Sequence, residues 1–230
     1  MSQKFVETLA ELGVQNLVFI RHANSGPIQE GGKRLDGPHD WKIRDQVRTL
    51  TPKGFGQCAV SAEYLKDFKL KANLCSPARR AVDTAFYMSP KRDTESNGSD
   101  VFLRMVESLH PAGMSETCEH LFESMGYGPL RNFFSVPGGK EAYCSYAELV
   151  CLELAAKIGG PSFERDAPSG DTITMFGHAV FLNALVYVVG TAMLIPETEA
   201  LLLDIDLGET QGIYIDVANR TIKHLKVDSL

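Results

Sequence analysis

Four short polar pieces carry the residue types that chemistry needs: Arg21-His22, the run Ser76–Ala85 (SPARRAVDTA), Glu107, and Gly177-His178. Histidine can act as a nucleophile or move protons near neutral pH, and arginine holds oxyanions through its planar fork. A carboxyl can supply a proton to a leaving oxygen. Singly, each piece reads just as well as a packed or solvated residue. Jointly they form a local cationic pocket within a chain whose net charge is −6, a combination suited to binding and transferring an anionic group.

Each piece follows a stretch with strand character. Asn16–Ile20 (NLVFI) is a continuous apolar run of the kind found in a central parallel strand covered on both faces. Ala72–Cys75, Val101–Val106 and Thr172–Phe176 are the other three. Thr51-Pro52 starts a helix, with Thr as N-cap, Pro at its first position and Phe55, Ala59, Ala62 and Leu65 at helical spacing. Ser76-Pro77 opens another by the same logic. Tyr143, Ala147, Val150, Leu154 and Ile158 mark an amphipathic helix stopped by Gly159-Gly160, and Met114–Met125 is a further helical segment. Lys91–Asp100, Gly126–Lys140 and Gly159–Gly170 read as loops or irregular chain. Leu201–Asp206, Gly212–Val217 and Thr221–Val227 alternate as strands, the last two joined by a tight turn at Ala218-Asn219-Arg220. Strands alternating with helices predict a three-layer α/β/α doubly wound sheet, mostly parallel, with antiparallel strands at its C-terminal end. Ligands collect at the C-terminal ends of such strands, which is where all four pieces fall.

A length of 230 residues suits one domain spanning 1–230. The acidic balance, with a pI near 5.5, argues against a nucleic-acid partner. Five cysteines (Cys58, Cys75, Cys118, Cys144 and Cys151) without a CxxC pair argue against a disulfide framework and a zinc site, and favour a reducing compartment. Met1–Val14 lacks the charged lead and apolar run of a secretory signal. Ala179–Ile195 is strongly apolar but short for a span, carries Asn183, Gly190 and Thr191, and has no basic flanks. It reads as a buried helix running into an extended segment. The expectation is a soluble cytoplasmic protein without a membrane partner, its oligomeric state left open.

The residues also resemble a family. LVFIRHANS, residues 17–25, is similar to the Arg-His-Gly signature of the histidine phosphatase superfamily, the phosphoglycerate-mutase-like fold. CSPARRAVDTA resembles its second signature, Ser-x-x-x-Arg-Ala-x-x-Thr-Ala, and MFGHAVFLNAL the segment holding its second histidine. LTPKGFGQ is similar to the start of the intervening helix. The resemblance implies a phosphatase that takes a phosphoryl group onto His22 and then hydrolyses the phosphohistidine. Arg21 and Arg80 would clamp the phosphoryl oxygens, His178 would stabilise the transition state, and no metal or other cofactor would be needed. Arg79 competes with Arg80, but the family's functional arginine directly precedes alanine. Glu107 takes the place of the proton donor in many relatives, the alternative being an ordinary loop carboxylate. Ser25 would add a phosphate hydrogen bond or stabilise the turn at Gly26-Pro27.

Two departures bear on the reading. Ala23 replaces the signature glycine, as in bacterial phosphohistidine phosphatases. ESLHPAG stands where the glycolytic mutases carry Glu-Arg-His-Tyr-Gly, so the residues that hold phosphoglycerate are missing and a phosphomutase is disfavoured. A catalytically weak protein that only binds phosphorylated ligands is the third reading. Substrate choice, between a phosphorylated small molecule and a phosphoprotein, would lie in the variable cap segments 26–47 and 111–140. His110 and His120 sit among Glu107, Glu116 and Glu119 without distinctive metal-ligand spacing and read as surface polarity.

Overall fold

The alternation of side chains along β1 (Asn16–Arg21) builds the centre of the molecule. Leu17 and Phe19 point into one apolar cluster and Val18 and Ile20 into another, so the strand is buried on both faces. A computed structural model describes residues 1–27, 29–30, 33–34, 45–90, 103–112, 115–167 and 169–226. In chain order these form α1 (Ser2–Glu11), β1, the short pair β2 (Gln29–Glu30) and β3 (Lys33–Arg34), α2 (Pro52–Ser61), β4 (Leu70–Cys75) and α3 (Arg79–Met88). There follow β5 (Leu103–Met105), α4 (Glu116–Met125), α5 (Leu130–Phe134), α6 (Gly139–Ile158), α7 (Pro161–Asp166) and β6 (Thr172–Gly177). The chain ends with α8 (Ala179–Ala192), α9 (Thr198–Leu202), β7 (Gly212–Asp216) and β8 (Thr221–Leu225).

The main sheet has the order β5-β4-β6-β1-β7-β8. The first four strands are parallel, and β7 and β8 join antiparallel. Helices α1, α6 and α8 supply the larger cluster on one face; α2 and α3 supply the smaller on the other. The expected three-layer α/β/α architecture, with antiparallel strands at the C-terminal end, is therefore present. Parallel pairing brings the ends of β1, β4 and β6 level: His22 donates its amide to Gly177 O (3.0 Å) and Ser76 donates to Phe176 O (2.9 Å).

Several local expectations change. Leu201–Asp206 does not form a strand; Thr198 and Leu202, four residues apart, bury one side of α9. Pro161 at the first helical position starts α7 inside what read as a loop, and α5 and the start of α6 occupy much of 126–140. The buried face of α2 is Gly54, Cys58 and Ser61, while Phe55 is exposed. Small side chains make that contact, so apolar periodicity missed it. Ser76 does not cap α3: Ala78 is its N-cap, without a side-chain bond. After α8 the chain turns, with Leu194 at φ 57°, and does not extend. The loop expected at Lys91–Asp100 lies outside the described residues. Among the described residues no helix is long and apolar enough to cross a membrane.

Candidate active site

The level strand ends deliver His22, Ser76 and His178 to one place, and α3 brings Arg80 over them. His22, Arg80 and His178 are all buried. Arg80 Nε donates to His22 Nε2 (3.0 Å), and its Nη2 lies 3.1 Å from His178 Nδ1. A guanidinium can only donate, so both of those ring nitrogens are acceptors. The proton of His22 is therefore on Nδ1, where Ala23 O accepts it at 2.8 Å. The proton of His178 is on Nε2, which donates to Ser76 Oγ (2.9 Å). Burial, reinforced by the charge of Arg80, holds both histidines well below a histidine's usual pKa. Both rings are thus neutral near pH 7, and His22 directs an unprotonated Nε2 at the arginine.

The loop after His22 is held from several sides. Ala23 N donates to Thr84 Oγ1 (3.0 Å), whose hydroxyl donates to Arg80 O (2.6 Å), tying the first motif to the second. Asn24 N donates to Gln57 Oε1 (2.8 Å) and Asn24 Nδ2 to Glu209 Oε1 (2.7 Å). Thr51 caps α2 by accepting from Gly54 N (3.1 Å), and its hydroxyl donates to Asn24 Oδ1 (2.5 Å). A Cβ on Gly54 would stand 2.2 Å from Asn24 O, so only glycine allows this approach. Ala23, by contrast, has no positive φ, which explains why the residue after His22 need not be glycine.

Arg80, His22 and His178 line a cavity of about 180 Å³ together with Asp45, Arg48, Pro111, Glu119, Phe122, Tyr127, Ala179 and Phe181. Arg21 stands beside it: its guanidinium lies 4.9 Å from the Tyr127 ring centroid and donates from Nη1 to Leu207 O (2.6 Å). Arg79 is exposed and paired with Asp83 (2.7 Å), outside the site. Glu107 is exposed and not part of the lining. Its amide and that of Ser108 are held by the Glu153 carboxylate at 3.0 and 2.9 Å, which fixes the turn Glu107–Leu109. Ser25 is likewise outside the lining, with a buried Oγ that has no partner among the described residues.

Sequence reasoning missed two participants, Asp45 and His110. Asp45 accepts from Arg80 through both its backbone oxygen (2.5 Å) and Oδ2 (2.6 Å), and Arg48 Nη1 reaches Oδ1 at 3.0 Å. Burial would raise the Asp45 pKa, but the hydrogen bond with His110 and the two arginines outweigh it and hold the carboxyl far below the usual range. His110, read as surface polarity, is buried, with Nε2 at 3.3 Å from Asp45 Oδ2 and its ring edge against His178. No local sequence signal marks His110 as internal. The Glu153 clamp on the turn before it comes from a distant helix.

Residues 17–100 match the family model of the histidine phosphatase superfamily, branch 1, a segment that contains Arg21, His22 and Arg80 and ends before His178. No curated protein matches the sequence. Among solved structures, a candidate alpha-ribazole-5'-P phosphatase from Escherichia coli is 15% identical with a TM-score of 0.50, covering 94% of this chain and 97% of its own. The mycobacterial glucosyl-3-phosphoglycerate phosphatase is 18% identical at a TM-score of 0.50, covering 92% of this chain and 97% of its own. A candidate phosphohistidine phosphatase from Agrobacterium tumefaciens is 14% identical at 0.44, with coverage of 92% and 96%. For the first two, at such identities, the likeness is one of fold.

Proposed function

We propose that this chain, whose residues 17–100 match the histidine phosphatase superfamily, is a phosphatase that works through a phosphohistidine on His22. The observation that carries the reading is the neutral His22 ring. Its Nδ1 proton is committed to Ala23 O, and its Nε2 lone pair lies against the buried fork of Arg80. Attack by Nε2 on phosphorus forms the P–N bond as the P–O bond to the leaving group breaks. Water then attacks the phosphohistidine, the P–N bond breaks, and inorganic phosphate leaves.

Arg80, with Arg21 at the edge of the cavity, neutralises the phosphoryl charge, so the pathway needs no metal. His178 can donate from Nδ1 once its proton changes sides, because the Ser76 hydroxyl can accept from Nε2 or donate to it. The leaving oxygen takes a proton from a carboxyl. Glu107 is the donor suggested by motif order; Glu119 is the glutamate that lines the cavity. The cap segments 26–47 and 111–140 would set the choice between a phosphomonoester and a phosphohistidine substrate, Phe122 and Tyr127 giving the second segment an apolar wall. We assign the working protein to the cytoplasm.

His22→Ala should abolish hydrolysis of p-nitrophenyl phosphate, and an acid-labile phosphoenzyme should form only when His22 is present. Turnover by the H22A protein at the wild-type rate would refute the assignment. Binding of phosphate by the wild-type protein without any turnover would favour the reading as a phospho-ligand binder.

A further inference from the structure

The Asp45 carboxylate has the ligand set of a bound anion. Arg80 Nη2 and His110 Nε2 converge on Oδ2 at 2.6 and 3.3 Å, and Arg48 reaches Oδ1. Asp45, Arg48 and Arg80 line the cavity that holds His22 and His178, and His110 stands just behind that lining, reaching it through Asp45 Oδ2. All three nitrogens of the Arg80 fork are thereby engaged: Nε with His22, Nη1 with Asp45 O, and Nη2 with Asp45 Oδ2 and His178. A phosphoryl group cannot receive two parallel bonds from that fork while Asp45 holds them. If the site binds phosphate as proposed above, the substrate must take the carboxylate's place and inherit its partners.

One of those partners is His110. Only 2% of its surface is exposed, its Nδ1 is buried without a partner among the described residues, and its ring packs edge-on against His178 at 5.3 Å between centroids. Burying an imidazole with one nitrogen unsatisfied costs free energy, so its place beside His178 calls for an explanation. The turn that places it is anchored to α6: Glu153 holds the amides of Glu107 and Ser108, and the Tyr146 hydroxyl donates to Ser108 O (2.8 Å). The same anchoring leaves Glu107 exposed and His110 inside.

We propose that His110 is a third histidine of the site, donating from Nε2 to a substrate phosphoryl oxygen, and that the Asp45 carboxylate stands in for that phosphoryl group in this structure. This rests on the phosphatase reading. A residue that merely props Asp45 would make the same contacts here, so the test must separate the two.

Inorganic phosphate is titrated into wild-type, H110A, D45A and D45A/H110A proteins by calorimetry, with p-nitrophenyl phosphate turnover measured alongside. Removing the internal competitor should let D45A bind phosphate several-fold more tightly than wild type. Losing one charge-assisted hydrogen bond should weaken binding roughly ten- to a hundredfold in D45A/H110A relative to D45A. Near-UV circular dichroism checks folding, and D45A/H110Q, which keeps an amide donor and most of the volume, should recover part of the loss. Equal affinity of D45A and D45A/H110A would overturn the role of His110, and D45A binding no more tightly than wild type would overturn that of Asp45. Either result alongside intact wild-type turnover leaves the phosphatase reading standing. Absence of both phosphate binding and turnover in the wild-type protein would overturn that reading, and this inference with it.

Discussion

Replacing Arg80 by lysine keeps the positive charge in place and removes the fork. The guanidinium now serves His22 Nε2, His178 Nδ1 and two atoms of Asp45 from three nitrogens, all within 3.1 Å. A phosphoryl group in the position of Asp45 would receive two parallel bonds, from Nη1 and Nη2. The lysine ammonium is a point donor and supplies one of them. The missing charge-assisted bond is worth about 1.5–3 kcal/mol. At 1.36 kcal/mol per decade this converts to a loss of roughly 10- to 150-fold in kcat/KM. Steady-state hydrolysis of p-nitrophenyl phosphate reads the effect directly, with a thermal melt to check that the buried lysine is tolerated. Arg79→Lys is the control, since that side chain is exposed and pairs with Asp83 outside the site. R80K activity within threefold of wild type, in a folded protein, would show that the fork does not clamp the substrate.

The remaining predictions concern the loop, pH and the proton donor. Gly54→Ala forces a Cβ to within 2.2 Å of Asn24 O and should cost about 1–3 kcal/mol, while Gly56→Ala, which meets nothing within 4 Å, should gain about 0.5–1 kcal/mol. Urea unfolding of the two variants measures both, and an unchanged midpoint for G54A would contradict the packing described at Asn24. His22 and His178 are held below the usual histidine value of 6.5, so the unfolded chain takes up their protons first as pH falls. From these two groups stability should be flat between neutrality and pH 8 and decline below pH 6.5, by at most about 2.7 kcal/mol per pH unit. Asp45 acts lower down: its stabilising ionisation is complete above the ordinary 3.8 and is lost as pH falls through its depressed value. Unfolding free energies measured from pH 8 to 5 test this, His178→Asn should flatten the slope, and a pH-independent wild type would sink the argument. Comparing Glu107→Gln with Glu119→Gln on aryl phosphates of differing leaving-group acidity assigns the proton donor. The variant whose loss grows with leaving-group pKa is the one that lacks it.

Much of this protein is legible along the chain because the relevant physics is local or periodic. The run NLVFI reads as a central strand since both faces of β1 are buried, and Tyr143–Ile158 reads as a helix because its apolar residues recur at the helical period. Thr51-Pro52 announces α2 through capping alone. His22 and His178 could be picked out because each directly follows a strand, and Arg21 and Arg80 because the motifs around them resemble family signatures; parallel pairing of β1, β4 and β6 then sets these pieces side by side. Where helices begin without such marks, as in α9 and α5, local reading fails. The burial that selects those elements comes from surfaces distant in sequence.

The tertiary structure alone decided what surrounds the phosphoryl position. Ser76 belongs to His178 and not to a helix cap, because β4 and β6 pair side by side across about a hundred residues of chain. Asp45 and His110 meet across 65 residues, and the helix that turns His110 inward and Glu107 outward lies some 45 residues further on. A histidine's type says only that it can donate, accept or attack. Whether it is buried, which nitrogen holds its proton, and what anion it faces are fixed by groups that sequence spacing does not bring together.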